Sequence, residues 1–359
     1  MGKARQLMLY NLHLLRVIAA LGVVYFHTTS DAGLKLDWDV GSRGVDVFFV
    51  ISGFIIAYIG TSKPDQFFVR RLVRVVPFYW AATAFVFAVV AVKPDVFRTT
   101  TASVPHLVSS LLFIPHEQKG EMQPTLLLGW SLNFEMFFYV VFALALRISK
   151  QWSPVICVGW LVAFVLAIHA FASGNPITDF YARPIVLEFC YGIGVFYLFS
   201  WCSARKARLA QIGALKWVLL AVLAGNLVAI AAFEEYYRND VPRYLIAGIP
   251  SFFIVASALL LERIYGVTTK NRLIYLLGES SYIIYLVHPY IVFTVLRVVV
   301  HNASALPAPA LAVLIAFLLA LTSAIAIAIH VWFEKPVMAF LRARLTEPRV
   351  PLPQAVAQR

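Results

Sequence analysis

The stretch NLHLLRVIAALGVVYFH, residues 11–27, decides the fold class. It is apolar over a length that, at a rise of about 1.5 Å per residue, takes a helix across most of a bilayer core of about 30 Å. Two ionisable side chains interrupt it, Arg16 near its middle and His27 at its end. An arginine there is foreign to the apolar region of a signal peptide, so no cleavable signal is expected. Charge inside a span is costly and points to function. Working outward, apolar stretches run over 9–29, 45–61, 74–92, 128–147, 153–173, 184–202, 213–233, 244–262, 279–300 and 309–333. A shorter one, 104–115, contains His106 between two prolines and is expected to be re-entrant or interfacial.

Composition agrees with this pattern. The 359 residues are 61% hydrophobic and 13% charged, with mean hydropathy +0.80. A soluble domain carries about 25% charged residues. The expected fold is therefore all-α: a polytopic transmembrane helical bundle of about ten helices. One membrane-embedded domain is expected over 1–345. The Pro-containing tail 346–359 is expected to be disordered. An even number of spans puts both termini on one side. Of the thirty Lys and Arg residues, twenty fall in segments on that side, nine on the other, and Arg16 lies within a span. The positive-inside rule makes the richer side the cytoplasm. The net charge of +12 is then mostly topology, and no nucleic-acid partner is expected. Cys157, Cys190 and Cys202 match no metal spacing and read as packing residues.

Several residues are candidates for chemistry. Arg16 and His27 are eleven apart and share a face, separated by about 16 Å along the axis. Arg16 reads either as a ligand-holding cation or as a side chain snorkelling to headgroups. His27 reads as a titratable group in the outer half or as an interfacial histidine. Asp46 opens the second span in GSRGVDVFFVISGFII at the depth expected for His27. It is a candidate to orient that imidazole, or simply an acid favoured by the helix dipole. In FFVRRLVRVVPFYW, Arg70, Arg71 and Arg74 cluster at the cytoplasmic junction, where Pro77 is expected to limit the helix. They form either ordinary anchors or a clamp for a phosphate-bearing ligand. In WSLNFEMFFYV, Ser131, Glu135 and Tyr139 share a face, with Glu135 two turns into the span, which argues for a cavity. In GESSYIIYLVHPY, Ser281, Tyr285 and His288 share another. His330 and Glu334 read as a structural pair. The sequence holds no Walker loop, GxGxxG, CxxC, HExxH or GxSxG, which argues against ATP-driven transport, nicotinamide chemistry and serine-hydrolase chemistry of the usual kinds.

Taken together, these segments resemble the acyltransferase 3 family of integral-membrane O-acyltransferases, in particular those that acetylate exopolysaccharide or lipopolysaccharide O-antigen. The resemblance runs from Asn11 to about Pro336. It rests on LLRVIAALGVVYFH, GVDVFFVISGFII (44–56), FFVRRLVRVVP (67–77), WSLNFEMFFY (130–139) and SSYIIYLVHP (280–289). It implies acetyl-CoA, or a related acyl-CoA, as cytosolic co-substrate, with no bound cofactor or metal. It also implies a carbohydrate acceptor and a place in the bacterial inner membrane among its lipids. Arg70, Arg71 and Arg74 match the family's basic motif for the donor's phosphates. Arg16 and His27 match its essential first-helix pair, and Glu135 matches the acid of WSLxxE. Some relatives carry an additional esterase-like domain; none is expected within these 359 residues. On this view His27 is the general base, Asp46 fixes its tautomer, Arg16 holds the donor's body, and Glu135 orients the acceptor or carries protons. Ser131, Tyr139, Ser281, Tyr285 and His288 line the acceptor side or the pocket. The alternative is a proton-coupled secondary transporter or lipid-linked-sugar flippase, which uses the same buried charges but usually shows paired repeats that are not evident here.

Overall fold

A computed structural model describes residues 9–33, 40–94, 100–118, 120–236, 242–300 and 303–346. The tail beyond Thr346, and with it Arg349 and Arg359, lies outside the described residues, as do Lys3, Arg5, Lys35, Arg98, Lys119, Arg238 and His301. Ten described helices are long and apolar enough to cross a membrane. They are Tyr10–Asp31, Gly41–Ser62, Phe67–Val92, Gly129–Ile148, Ser153–Ala172, Pro184–Ala204, Gly213–Ala231, Tyr244–Tyr265, Arg272–Arg297 and Ala308–Leu345. Only helices satisfy their own backbone hydrogen bonds in hydrocarbon without a neighbouring strand, which is why this composition folds this way. The sole described strands are the two-residue pair Glu117–Gln118 and Glu121–Met122.

Contacts between helix ends sort the molecule into two faces. At one, the start of span one meets the end of span eight. The Glu262 carboxylate accepts from the Tyr10 and Asn11 backbone N–H groups at 2.7 and 2.8 Å. That satisfies two of the donors every helix leaves open at its start, and places negative charge where the helix dipole favours it. The Asn11 side chain adds bonds to the Ala258 and Val267 carbonyls. Arg263 reaches Ser203, and Lys150 pairs with Asp65, on this same basic face. At the far face, Arg243 at the start of span eight meets Asp46 and Ser42 at the start of span two. Spans one, two, eight and nine form the interior. Two-thirds of the most apolar window of spans two and eight is buried (67% each), against 17%, 11% and 17% for spans five, seven and ten at the periphery. Phe85, Phe171 and Trp332 project outward, fully at odds with a water-facing surface.

Two expectations about elements are corrected. The third helix does not stop at Pro77: it runs unbroken from Phe67 to Val92. Proline leaves the Val73 carbonyl without its helical donor, one bond of a long span, and the apolar surroundings favour continuing the helix. The arginine cluster therefore sits on the span itself. The last helix also passes beyond 333, through a π-helical turn at His330–Glu334, to Leu345. The 104–115 stretch forms the short helix Val104–Leu111, about 12 Å long and unable to span. Tyr79 and Trp80 side chains tie its carbonyls to the middle of span three.

Candidate active site

An interior cavity lies among spans one, two, three, four and nine. It has an empty volume of about 790 Å³, part of it open to the exterior. Arg16, Arg71, Arg74, Ser131, Glu135, Tyr139, Ser281 and Tyr285 all line it. Helical spacing explains the convergence. Arg71 and Arg74 are three apart on span three, and Ser131, Glu135 and Tyr139 are four apart in succession on span four. Arg16 and Arg71 are buried, Arg74 half-buried. The Tyr139 hydroxyl donates to the Glu135 carboxylate, and the Ser52 hydroxyl donates to it at 3.1 Å. Ser131 and Tyr285 share a hydroxyl–hydroxyl hydrogen bond of 2.9 Å.

The charge balance in this cavity is uneven. Three guanidiniums face one carboxylate, and that carboxylate is occupied by hydroxyls. Among the described residues, Arg16, Arg71 and Arg74 form no ion pair, and the buried Arg71 Nε has no hydrogen-bond partner. A buried guanidinium without a partner is expensive, and partners elsewhere in proteins are carboxylates or phosphates. Such an arrangement has the chemistry to hold an anion.

Toward the far face, the Tyr285 ring is 6.2 Å from that of His288, and His288 is 5.1 Å from His27. The His288 Nδ1 lies 3.1 Å from the Ile284 carbonyl. A carbonyl only accepts, so Nδ1 carries the proton and Nε2, buried without a partner, keeps its lone pair. The two histidines thus stand one ring beyond the cavity's outer wall.

Two candidates fall elsewhere. Arg70 turns outward and donates to the Lys63 carbonyl, away from the cavity. Asp46 does not reach for His27. It is fully buried, and Arg243 holds both its oxygens at 2.9 Å (Nε to Oδ1) and 2.7 Å (Nη2 to Oδ2). Glu188, also fully buried, lies beside this pair with its carboxyl group against that of Asp46. Sequence reasoning missed Glu188 and Arg243. The available signal was an acid and a base, each at the first turn of an apolar span. His330 bonds Glu334 at 2.5 Å, and Glu279 sits within 3.8 Å of His330 and 3.6 Å of Lys335. That cluster ties spans nine and ten together at the basic face. No group of three or more potential metal ligands occurs among the described residues.

Comparison with known proteins matches residues 9–329 to a family described as an acyltransferase domain. The exopolysaccharide production protein ExoZ of Rhizobium meliloti is 33% identical over 326 residues, covering 89% of this chain and 96% of ExoZ. The O-acetyltransferase OatA of Staphylococcus aureus is 25% identical over 78% of this chain, which spans only 50% of OatA. No solved structure matches. With nearly the whole described bundle inside the matched region, the chain belongs to the acyltransferase 3 family and is a multi-pass membrane O-acyltransferase.

Proposed function

We propose that this enzyme takes an acyl group, acetyl in the simplest case, from acyl-CoA at its basic face. It delivers the group to a hydroxyl of an exported or cell-surface polysaccharide or its lipid-linked precursor. The observation that carries this reading is the cavity in which three guanidiniums without carboxylate partners converge on hydroxyls and one acid. Likeness to a protein named for exopolysaccharide production supports the acceptor class. The excess of basic residues on the side of the termini supports a cytosolic basic face in a bacterial inner membrane.

In this mechanism Arg71 and Arg74 hold the donor's phosphates and Arg16 its body. The acyl thioester extends past Glu135 and Tyr139 toward Tyr285. His27 takes the proton of the acceptor hydroxyl as a neutral imidazole. The oxygen attacks the thioester carbonyl, a new C–O bond forms, the C–S bond breaks, and the CoA thiolate leaves and is protonated. Packing against His288, rather than contact with Asp46, positions the His27 ring. The test is NMR of the host's polysaccharide with and without the gene, alongside acetyl-CoA consumption by purified protein. Loss of an O-acetyl signal and acceptor-dependent release of CoA are the expected results. An unchanged polysaccharide with no CoA release would reject the reading and favour a carrier, which consumes no thioester.

A further inference from the structure

A second cleft opens at the far face, among the starts of spans four, six and eight, with an empty volume of about 1200 Å³. Gln123, Trp130, Arg183, Arg243 and Tyr244 line it. Gln123 is only 9% exposed, and its amide nitrogen has no hydrogen-bond partner. Its backbone is pinned, with the N–H donating to His116 O and the carbonyl accepting from Gln118. A buried amide donor left unsatisfied is disfavoured unless something else accepts from it. Trp130 is half-buried, and Arg183 is exposed with its guanidinium 4.9 Å over the Phe180 ring.

This cleft borders the donor cavity. Phe49 lines the inner cavity, while Trp130 and Phe134 line the outer cleft. The three rings pack edge-to-face with centroids 6.1–6.4 Å apart and form the shared wall. Directly beside Trp130 on span four, Ser131 looks into the donor cavity and bonds Tyr285. The cleft and the donor cavity thus lie on either side of the start of span four.

We propose that this cleft binds the carbohydrate acceptor, an assignment that rests on the acyltransfer reading above. The chemistry fits a sugar. Aromatic rings offer an apolar body for the C–H face of a pyranose. The unpaired Gln123 amide donates to a hydroxyl or ring oxygen. Arg183, and the one Arg243 nitrogen not engaged by Asp46 and Ser42, supply further donors at the rim. Buried polar groups left waiting for a hydroxyl discriminate strongly for ligands that carry one.

The test uses the full chain in lipid nanodiscs. The probes are radiolabelled acetyl-CoA and the host's exported polysaccharide, stripped of O-acetyl groups by mild alkali. Gln123→Leu and Trp130→Leu are expected to raise the KM for polysaccharide by roughly five- to tenfold, the worth of about one lost hydrogen bond or stacking contact. Arg183→Gln, at an exposed position that poses no folding risk, is expected to raise it by roughly two- to fivefold. The KM for acetyl-CoA should stay within about twofold of wild type in all three. An unchanged acceptor KM in all three variants, with the wild type transferring label, overturns the cleft assignment and leaves the acyltransfer reading intact. An equal rise in both KM values also overturns it. A wild type that transfers no label to polysaccharide overturns the acceptor class, and the cleft assignment falls with it.

Discussion

His27 and His288 meet ring to ring across spans one and nine. His27→Ala is expected to cut kcat by about 10²–10⁴-fold, the range for a lost general base, with unchanged thermal stability. A variant retaining full transfer rate sinks the base assignment. The arginines separate just as cleanly. Arg71→Ala is expected to raise the KM for acetyl-CoA by tenfold or more, on the order of one charge-assisted contact. Arg70→Ala, facing away from the cavity, should leave that KM within about twofold. Equal effects of the two would contradict the geometry. Ser131, Glu135 and Tyr139 were legible in the sequence because one helix carries all three and its period fixes their face. The partners of His27 and Asp46 were not. Arg243 is 197 residues from Asp46, and nothing in local periodicity reports which spans become neighbours.

The packing of whole elements is set by small residues and one buried ion pair. Spans two and six approach so closely that a methyl group on Gly53 would overlap the Phe189 carbonyl, and one on Gly192 the Val50 carbonyl. Membrane helices lack a hydrophobic drive to associate and rely on such close fits. Gly53→Val or Gly192→Val is therefore expected to abolish a monodisperse peak in size-exclusion chromatography. Gly194→Ala, whose nearest obstacle is a Phe252 ring atom at 3.4 Å, should behave as wild type. Arg243→Leu strands the fully buried Asp46 carboxylate and is expected to cost about 3–5 kcal/mol of stability. Adding Asp46→Asn should recover part of the loss in detergent melting curves, and a further drop would argue against the pairing as the cause. The ten spans themselves were readable from apolar length. Their ends were less so, because Pro77 suggested a break that the surrounding apolar medium overrides.

At the scale of the molecule, the residues proposed for catalysis form a column. Arg71 and Arg74 stand near the basic face, Glu135 and Tyr139 in the middle, and Tyr285, His288 and His27 toward the far face. On the proposed reading, donor and acceptor enter from opposite faces and meet along this column of polar side chains. The peripheral spans five, seven and ten contribute little to this route and serve as its apolar jacket.

The Phe49, Trp130 and Phe134 rings that divide the two cavities carry an electrical consequence. An enzyme hollowed from both sides of an energised membrane risks becoming a leak. Each elementary charge that slips through releases about 2.3 kcal/mol per 100 mV of potential. On the proposed reading, these three edge-to-face aromatic rings act as an insulator that denies water a continuous thread between the cavities. Replacing Phe49 and Trp130 together by Ala is expected to collapse an imposed pH gradient in proteoliposomes faster than wild type. Unaltered gradient decay would locate the seal elsewhere.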